Sequence, residues 1–517
     1  MESLLTSSFK NLYKKHLNIT NYHESNDDYK NSLKTWLPHR GLTGDAENLN
    51  TKNTLNRAWD LFNNNPTTRS IVTASANGVI GTGLKVGPNI DFETLVIDKK
   101  KAKELNSKLA RLFNLWASSE CSCVDRKTNF NMLQMRLFMN YWVSGDCFAL
   151  IRNNRNISKR SFPFDLSIQG IDSDMVANPM GAPNTNEIAG GIRVNEYGEE
   201  ISYFFKVLSD NIVFDTSTDS VEVPKFGKSG RRNVLHIHVP VRFRERRGIS
   251  LLSPVMEALK QLDRFDASEL MATELSSFFT AFVKTPDVEN ELGGLSESVL
   301  LDQPRYKNRE SDLEMGPGMI TTLEPGEDVI IADPKRPSKS FKEFEDVFLT
   351  KVSSYAGLPV EMVNRKYESS YTAARAALLQ AYHQFKIDRQ NFAFTCTQLV
   401  YEEFVDEIVL KNLIELPGYL LNPLNKMAYL RCNWVGDSMG LIDPVKEITA
   451  AKMARQEQIK TSDDISREMT GRSYQENLDV LDDENQERKN KDMLFPDEYD
   501  RQTKRLAVEK QGEKIDG

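Results

Sequence analysis

The chain has 517 residues, of which 39% are hydrophobic and 27% are charged, and its formal net charge is -8. This composition is typical of a globular protein with enough apolar residues for sizeable cores, and the length predicts about three domains. The acidic balance argues against a protein that grips nucleic acid over its whole surface, because such binders usually carry a basic footprint. It does not exclude a protein that handles DNA without holding it.

The number of cysteines and the composition of the N-terminal stretch indicate the cellular compartment in which the chain folds. An odd and sparse set of cysteines is poor material for a disulfide framework, so reduced thiols in a cytosolic compartment are expected. The set is Cys121, Cys123, Cys147, Cys396 and Cys432. The N-terminal stretch lacks the continuous apolar run of a signal peptide, and no stretch approaches the roughly 20 apolar residues that a membrane helix needs.

The first half of the chain predicts a mixed unit of helices and strands over residues 51–245. Residues 1–50 are rich in Asn, Asp and Lys and predict a loosely ordered arm. Amphipathic spacing predicts helices over 51–62 and 67–80, with a break at Pro66. Two more helices are expected within 101–144. Strands are then predicted over 145–152, 164–172, 190–208 and 234–241, and "NEYGEE" within the third of these marks a hairpin turn.

The second half changes character at about residue 250. Helical spacing of large apolar residues predicts one long helix over 252–283, with Pro254 in its first turn. Residues 284–338 are rich in Pro and Gly and contain short β-like runs. A helix over 339–356 ends at Gly357 and Pro359, and another begins near Thr372. The C-terminal part predicts amphipathic, charged helices followed by a frayed, solvated tail over 484–517.

Two glycine-containing motifs resemble nucleotide-binding sequences but lack the residue spacing that such binding requires. Gly81-Thr82-Gly83 lacks the third glycine of a dinucleotide fingerprint, because position 86 is Val, and it follows a helix. "EVPKFGKSG" (222–230) contains Gly-Lys-Ser, but position 222 is Glu where a phosphate-binding loop requires Gly. These segments are interpreted as a helix stop and as a loop between strands. No catalytic residue and no cofactor are predicted.

Metal ligands are also few. His236 and His238 lie on one face of a predicted strand, but the third and fourth ligands of a zinc site are not evident, and Cys121-Ser122-Cys123 is too tight for the usual loop. Asp172 and Asp174 come closest to a carboxylate pair of a two-metal nuclease, although turns explain them better. No metal site is therefore predicted.

The compact basic run "RFRERRG" (242–248) leaves two interpretations open. It could contact phosphates, or it could pair with acidic residues of another copy of the chain. The second is favoured, which makes Arg242, Arg244, Arg246 and Arg247 candidate residues of a subunit interface.

Several blocks, taken together and in order, carry a family resemblance over residues 35–490. They include "WLPHRGL", "LNRAWDLFNNNPTTRSIVTASANGVIGTGLKV", "LEPGEDVIIADPKRPSKSFKEFEDVFL" and "AGLPVEMVNRKYESSYTAARAALL". In this order the chain resembles the lambda-type portal proteins of tailed bacteriophages. The departures are modest: Ser370 stands where the family usually has Asn, and Thr372-Ala373-Ala374-Arg375 stands for Ser-Ser-Ala-Arg.

The resemblance implies an α+β portal fold and a ring, typically of twelve subunits, at one capsid vertex of the virion. The implied regions are an N-terminal arm (1–50), an α/β wing (51–250), a first stem helix (251–283), a small mixed clip (284–338), a second stem helix (339–358), a tunnel-loop region (359–371), a long wing helix with its return (372–440), and a helical crown with a charged tail (441–517).

By the same resemblance, double-stranded DNA passes through the ring during packaging and ejection, and the segment after the second stem helix borders the channel. Its residues are Asn364, Arg365, Lys366, Tyr367, Glu368, Ser369, Ser370 and Tyr371. The implied protein partners are other copies of the chain, the terminase large subunit, the major capsid or scaffold protein, and head-completion or adaptor proteins. No membrane partner is implied, and assembly is expected in the host cytoplasm.

Two alternatives remain at this point. A metal-dependent nuclease would use Asp172 and Asp174 on DNA, whereas a structural capsid protein would form shells or sheets without a channel.

Overall fold

A computed structural model of the chain describes residues 51–153, 162–207, 219–277, 281–284, 328–331, 341–366, 370–438, 443–471 and 474–491. Within these ranges, no helix has both the length and the apolar character to cross a bilayer. Helices and strands are mixed, which confirms the α+β class. The predicted arm over 1–50 and most of the predicted clip lie outside the described residues.

Two helices open the described chain, α1 (Thr51–Asn64) and α2 (Pro66–Val79). The predicted break between them is confirmed. Asn65 caps α2, since its side chain accepts a 2.8 Å hydrogen bond from the backbone N–H of Thr68. Proline suits the first position of a helix because the N–H it lacks would have no partner there.

Helices α3 (Lys99–Ala117) and α4 (Phe130–Ser144) supply the aromatic centre of the main core. Phe113 and Trp116 of α3 pack against Phe130 and Phe404 with ring centroids 5.0–6.0 Å apart. The buried Trp116 indole donates a 3.0 Å hydrogen bond to the carbonyl of Leu166, so its polar atom is satisfied within the core.

Two antiparallel sheets follow α4. The first has the order β3–β2–β8 and the second the order β4–β5–β6–β7, and the predicted hairpin is the β5–β6 connection. A second cluster of buried residues, including Phe148 and Tyr203, joins the two sheets. The strands are β2 (Cys147–Asn153), β3 (Leu166–Ile171), β4 (Ile188–Ala189), β5 (Ile192–Val194), β6 (Glu200–Lys206), β7 (Ser220–Pro224) and β8 (Val234–Ile237).

The long helix predicted over 252–283 is shorter in the structure. After a 3-10 turn at Ser253–Val255, α5 spans Met256–Ser277, and β9 (Ala281–Lys284) pairs antiparallel with β10 (Asp328–Ile331). The prediction was wrong at its C-terminal end because short apolar runs do not distinguish helix from strand, and Phe and Val favour a strand once a partner exists.

The predicted helix over 339–356 is confirmed as α6 (Phe341–Tyr355), which packs against α5. Phe265 of α5 stacks on Phe341 at 5.4 Å and meets Phe344 at 4.5 Å. These aromatic contacts hold the two helices side by side.

The helix predicted from near Thr372 is confirmed as α8 (Tyr371–Phe392), preceded by a short α7 (Val360–Asn364). A π-helical segment at Ala393–Thr397 leads directly into α9 (Gln398–Leu410). The chain then returns through α10 (Pro423–Leu430) to β11 (Cys432–Val435). β11 pairs antiparallel with β1 (Lys85–Pro88), so late and early parts of the chain share one small sheet.

Three helices close the described chain: α11 (Pro444–Gln456), α12 (Ser462–Thr470) and α13 (Tyr474–Asn490). The frayed tail predicted from residue 484 is therefore wrong for 484–490. Pairs four residues apart support this last helix, since Gln486 donates to Asp482 and Lys491 pairs with Glu487. Residues 492–517 lie outside the described residues.

Candidate functional site

The predicted channel segment begins where α6 ends, at a left-handed Gly357. Its φ is +68°, a conformation that residues with a Cβ rarely adopt. A Cβ added there would lie 3.1 Å from Cγ of Gln384 on α8. This glycine closes α6 as predicted and lets the chain pass close to α8.

The short helix α7 fixes the first part of the segment to the body of the protein. Val363 is buried, and its carbonyl accepts a 2.9 Å hydrogen bond from Oγ of Ser70 on α2. Arg365 then ends α7 with φ of +56°, and both Arg365 and Lys366 are exposed. Arg365 and Lys366 are therefore exposed directly after a segment whose position is fixed by the packing of Val363.

The far end of the segment is fixed by a helix cap. The Ser370 side chain accepts a hydrogen bond of 3.4 Å from the backbone N–H of Ala373, and α8 starts at Tyr371. Such N-caps favour helix initiation because they satisfy an otherwise unpaired donor. Tyr367, Glu368 and Ser369 lie outside the described residues.

A cavity of about 350 Å³ lies at the base of the segment, between α2, α7 and α8. Arg365 lines it together with Tyr382, Phe385, Asn77 and Asp437. Asp437 also accepts hydrogen bonds from the backbone N–H and hydroxyl of Thr82, at 2.7 and 2.8 Å. The described residues of this region therefore combine apolar packing with fixed polar groups.

The four arginines of the basic run divide into two pairs. Arg242 and Arg244 are exposed, whereas Arg246 and Arg247 are 9% and 5% exposed. Arg246 donates to the carbonyl of Asn186 at 2.5 Å within its own subunit. The second pair is turned inward and the first pair lies at the surface, and the subunit-interface prediction stays a prediction for all four arginines.

Arg247 and Asp146 form the centre of a buried charge network. Arg247 Nε donates to Asp146 Oδ2 at 2.6 Å, and its Nη2 donates to Oγ of Ser173 at 2.6 Å. Its Nη1 donates to the carbonyls of Val176 and Gly190 at 2.9 and 2.8 Å. A buried guanidinium with this many acceptors is fully paired, so the network fixes the chain after β8 to both sheets.

His236 extends this network to a second carboxylate. Its Nδ1 lies 2.7 Å from Glu200 and its Nε2 lies 3.5 Å from Asp146. Burial would lower the pKa of His236, but Glu200 and Asp146 outweigh that effect and raise its pKa to about 9. Burial would likewise raise the pKa of Asp146, but Arg247 and His236 hold that pKa well below its usual range.

The remaining candidates for chemistry have structural explanations. Asp172 accepts a hydrogen bond of 2.5 Å from Asn140 at a turn, and "EVPKFGKSG" covers the end of β7 and the loop that follows it. His238 lies 3.5 Å from Glu245. Within the described ranges, no group of three or more His, Cys, Asp and Glu side chains could hold a metal ion. All five cysteines are free thiols.

Comparison with known protein families shows which family the chain belongs to. The model of "Phage portal protein, lambda family" matches residues 30–389. The chain belongs to the lambda family of phage portal proteins. The family resemblance read from the sequence is thereby confirmed.

Two curated members of this portal family are similar over most of their length. Portal protein B of Escherichia phage lambda is 20% identical over 453 residues, covering 84% of this chain and 83% of the relative. The portal protein of Escherichia phage N15 is 20% identical over 453 residues, covering 84% of each chain.

Solved structures give weaker matches. A chain in the neck of a native gene transfer agent particle, computed with C12 symmetry, is 12% identical with a TM-score of 0.42. A chain in the neck of the empty particle, computed with C6 symmetry, is 10% identical with a TM-score of 0.43. Each match covers 81% of this chain and 92% of the other chain.

Sequence reasoning missed the Asp146–Arg247–His236 network of this portal-family chain. Its members are far apart in sequence and come together only because β2 pairs with β8. The sequence signal that could have indicated the approach of these two segments is the pair of glycines, Gly145 and Gly248. A Cβ on Gly248 would lie 2.0 Å from the carbonyl oxygen of Gly145, so neither site tolerates a side chain.

Proposed function

We propose that copies of this chain close into a ring, typically of twelve, around a channel for double-stranded DNA at one vertex of the capsid. The observation that carries the proposal is the family match over residues 30–389. The DNA would enter through the channel during packaging and leave through it during ejection. The chain itself would act as a conduit and docking platform, without catalysis.

The finer assignment of regions is part of this proposal. The paired helices α5 and α6 would form the stem, and the residues between them the clip. The α+β body, with α8, α9 and their return, would form the wing, and α11 to α13 the crown. The close aromatic contacts between α5 and α6 support the stem assignment, because they pack the two helices against each other.

The segment over 359–371 would border the channel. Arg365 and Lys366 are exposed where it leaves the body, and Glu368 follows them in sequence, which leaves about one net positive charge per copy. Each phosphate that a basic residue neutralises releases counterions and adds affinity. Since a ring multiplies every charge by the number of subunits, a more basic segment would hold DNA too tightly to let it pass.

The proposed partners follow from this role. A terminase large subunit would dock on the ring and supply the force, while capsid or scaffold protein and head-completion or adaptor proteins would contact other faces. A separate motor is expected because the Gly-Lys-Ser of residues 227–229 lies in a loop after β7, without the glycine that a phosphate-binding loop requires. The ring would be assembled in the host cytoplasm and retained in the virion.

Negative-stain imaging of the purified full-length chain tests the ring directly. Rings with a central hole support the proposal. Closed shells or sheets would favour a structural capsid protein, and particles that stay monomeric under all assembly conditions would contradict the ring.

A charge change in the segment tests its contact with DNA. Glu368→Lys should leave rings intact but slow DNA packaging, and more so at low salt, because counterion release strengthens the contact there. Glu104→Lys, which makes the same change at an exposed position of α3, serves as the control. Equal packaging by Glu368→Lys and the control at every salt concentration would argue against contact between segment and DNA.

A further inference from the structure

The loop after β8 presents a fully exposed aromatic side chain between two arginines. Phe243 is 100% exposed and Val241 is 90% exposed, and Arg242 and Arg244 are also exposed. Single exposed apolar residues are common on protein surfaces. A fully exposed Phe next to an exposed Val is a different case, because it forms a small apolar patch with a basic rim.

The backbone of this loop is held from beneath. The Glu245 carboxylate accepts hydrogen bonds of 2.9 Å from the backbone N–H groups of both Val241 and Arg242. Arg247 is anchored to Asp146 only three residues after Arg244. A side chain on a fixed loop loses little conformational entropy on binding, which is the property of an interface anchor.

The loop also carries a strained residue. Arg244 has φ of +66°, a left-handed conformation that costs free energy for residues other than glycine. Such strain persists where the surroundings enforce it and is concentrated at sites that bind or react. Glu245 and Arg247 on the C-terminal side of Arg244 provide that enforcement, so Phe243 is presented outward by the fold.

A second surface of the same chain has the properties needed to receive this loop. Four large apolar side chains within eight residues are exposed, by 60–90%, before and within α10: Leu420, Leu421, Leu424 and Met427. Leu424 and Met427 line a groove of about 600 Å³. We call these four side chains and the groove the α10 patch.

The charges around the α10 patch favour a basic loop. Asp91 and Glu402 line the groove together with Lys426 and Arg431. Lys426 is already paired with Asp406 at 2.8 Å. Asp91, Glu402 and Asp406 therefore stand against Lys426 and Arg431, which gives the surroundings of the patch a net charge of -1, whereas Arg242, Arg244 and Glu245 give the loop a net charge of +1.

We propose that Phe243 of one copy inserts into the α10 patch of a second copy, with Arg242 and Arg244 facing its carboxylates. The inference rests on the proposed ring, and it names the contact that would join neighbouring subunits. The two surfaces differ, so the contact is heterologous, which is the kind of interface that generates rings when the rotation closes. Phe243 would be its central anchor.

Assembly of the full-length chain tests the anchor. Phe243→Asp should raise the protein concentration needed for half-assembly at least about tenfold, measured by sedimentation velocity, because loss of an interface anchor typically has this effect. Tyr197→Asp is the matched control, since Tyr197 is an aromatic residue that is 85% exposed in the β5–β6 turn. Unchanged thermal unfolding of the Phe243→Asp monomer would show that the fold is intact.

Cross-linking tests the receiving surface. Two chains, one with Phe243→Cys and one with Leu424→Cys, should form a disulfide-linked pair when mixed, and neither should do so alone beyond the background of the wild-type thiols. Cross-links of Phe243→Cys with itself, or none in the mixture, would overturn the α10 patch as the acceptor.

The outcomes separate this inference from the proposed function. If the wild-type chain does not form rings, the proposed function fails. If rings form and Phe243→Asp assembles as well as the wild type, only the proposed contact fails. Normal assembly of Phe243→Asp with weakened DNA retention would assign the loop to DNA and would also overturn the contact.

Discussion

Arg247 Nε lies 2.6 Å from Asp146 Oδ2, and both side chains are buried. The ion pair links the start of β2 to the chain that follows β8, and Gly248 adds a 3.0 Å backbone hydrogen bond to the same carboxylate oxygen. Breaking a buried pair by removing one charge is costly, because the other charge stays buried without its partner.

Asp146→Asn should therefore lower the free energy of unfolding by about 3 kcal/mol or more. Denaturant titration of the full-length chain measures the change. Asp125→Asn is the control, since the ion pair of Asp125 with Arg136 is exposed and should contribute less than about 1 kcal/mol. An equal decrease in the free energy of unfolding in the two variants would show that the buried ion pair contributes no more to stability than the exposed one.

The raised pKa of His236 predicts a pH dependence of stability. Its folded value of about 9 exceeds its ordinary 6.5, so its stabilising contribution is complete below pH 6.5 and is lost as the pH rises through 9. The free energy of unfolding should fall over this window by up to about 3 kcal/mol, given about 1.4 kcal/mol per pH unit.

The variant His236→Gln provides the comparison for that pH titration. It cannot gain a charge, so its stability between pH 6.5 and 9 should change less than that of the wild type. The carboxylates of Glu200 and Asp146 and the cations Lys225 and Arg247 are common to both proteins, and their response cancels in the difference. Parallel pH profiles would contradict a charged His236 in the folded protein.

Two glycines with nearly the same φ allow the cost of backbone strain to be compared with the cost of a steric clash. Gly145 and Gly198 have φ of +88° and +87°. A Cβ on Gly145 would lie 2.3 Å from the backbone carbonyl carbon of Ile249, whereas a Cβ on Gly198 would have no atom within 4 Å. Gly198→Ala should cost about 1 kcal/mol, the penalty of a left-handed backbone. Gly145→Ala should cost clearly more in the same denaturant titration, and equal costs would mean that the backbone relaxes without penalty.

Gly357 at the end of α6 gives a further prediction. Gly357→Val places a β-branched residue at φ of +68° and 3.1 Å from Gln384, so the free energy of unfolding should fall by about 2 kcal/mol. The exposed neighbour Ser354→Val keeps the helical backbone and should change stability by less than about 0.5 kcal/mol. Full stability of Gly357→Val would remove the assignment of this glycine as a required helix stop.

The sequence predicted those parts of the fold that depend on local signals. Pro66 stands where a helix begins and Gly357 where one ends, and each marks its boundary through its own backbone chemistry. The end of α5 was mispredicted because the β9–β10 pairing depends on residues more than forty positions apart. The inward direction of Arg247 also depended on a distant partner, Asp146, which no local pattern indicates.

The pairing of β1 with β11 joins Val86 to Trp434, near opposite ends of the described chain. Contacts this distant in sequence close late, since the entropy of the intervening loop must be overcome first. During synthesis, the helices that precede and follow β1 would wait for most of the polypeptide to emerge before their packing is complete. A nascent chain that ends before Cys432 would thus lack the β1–β11 pairing and the packing that this pairing completes.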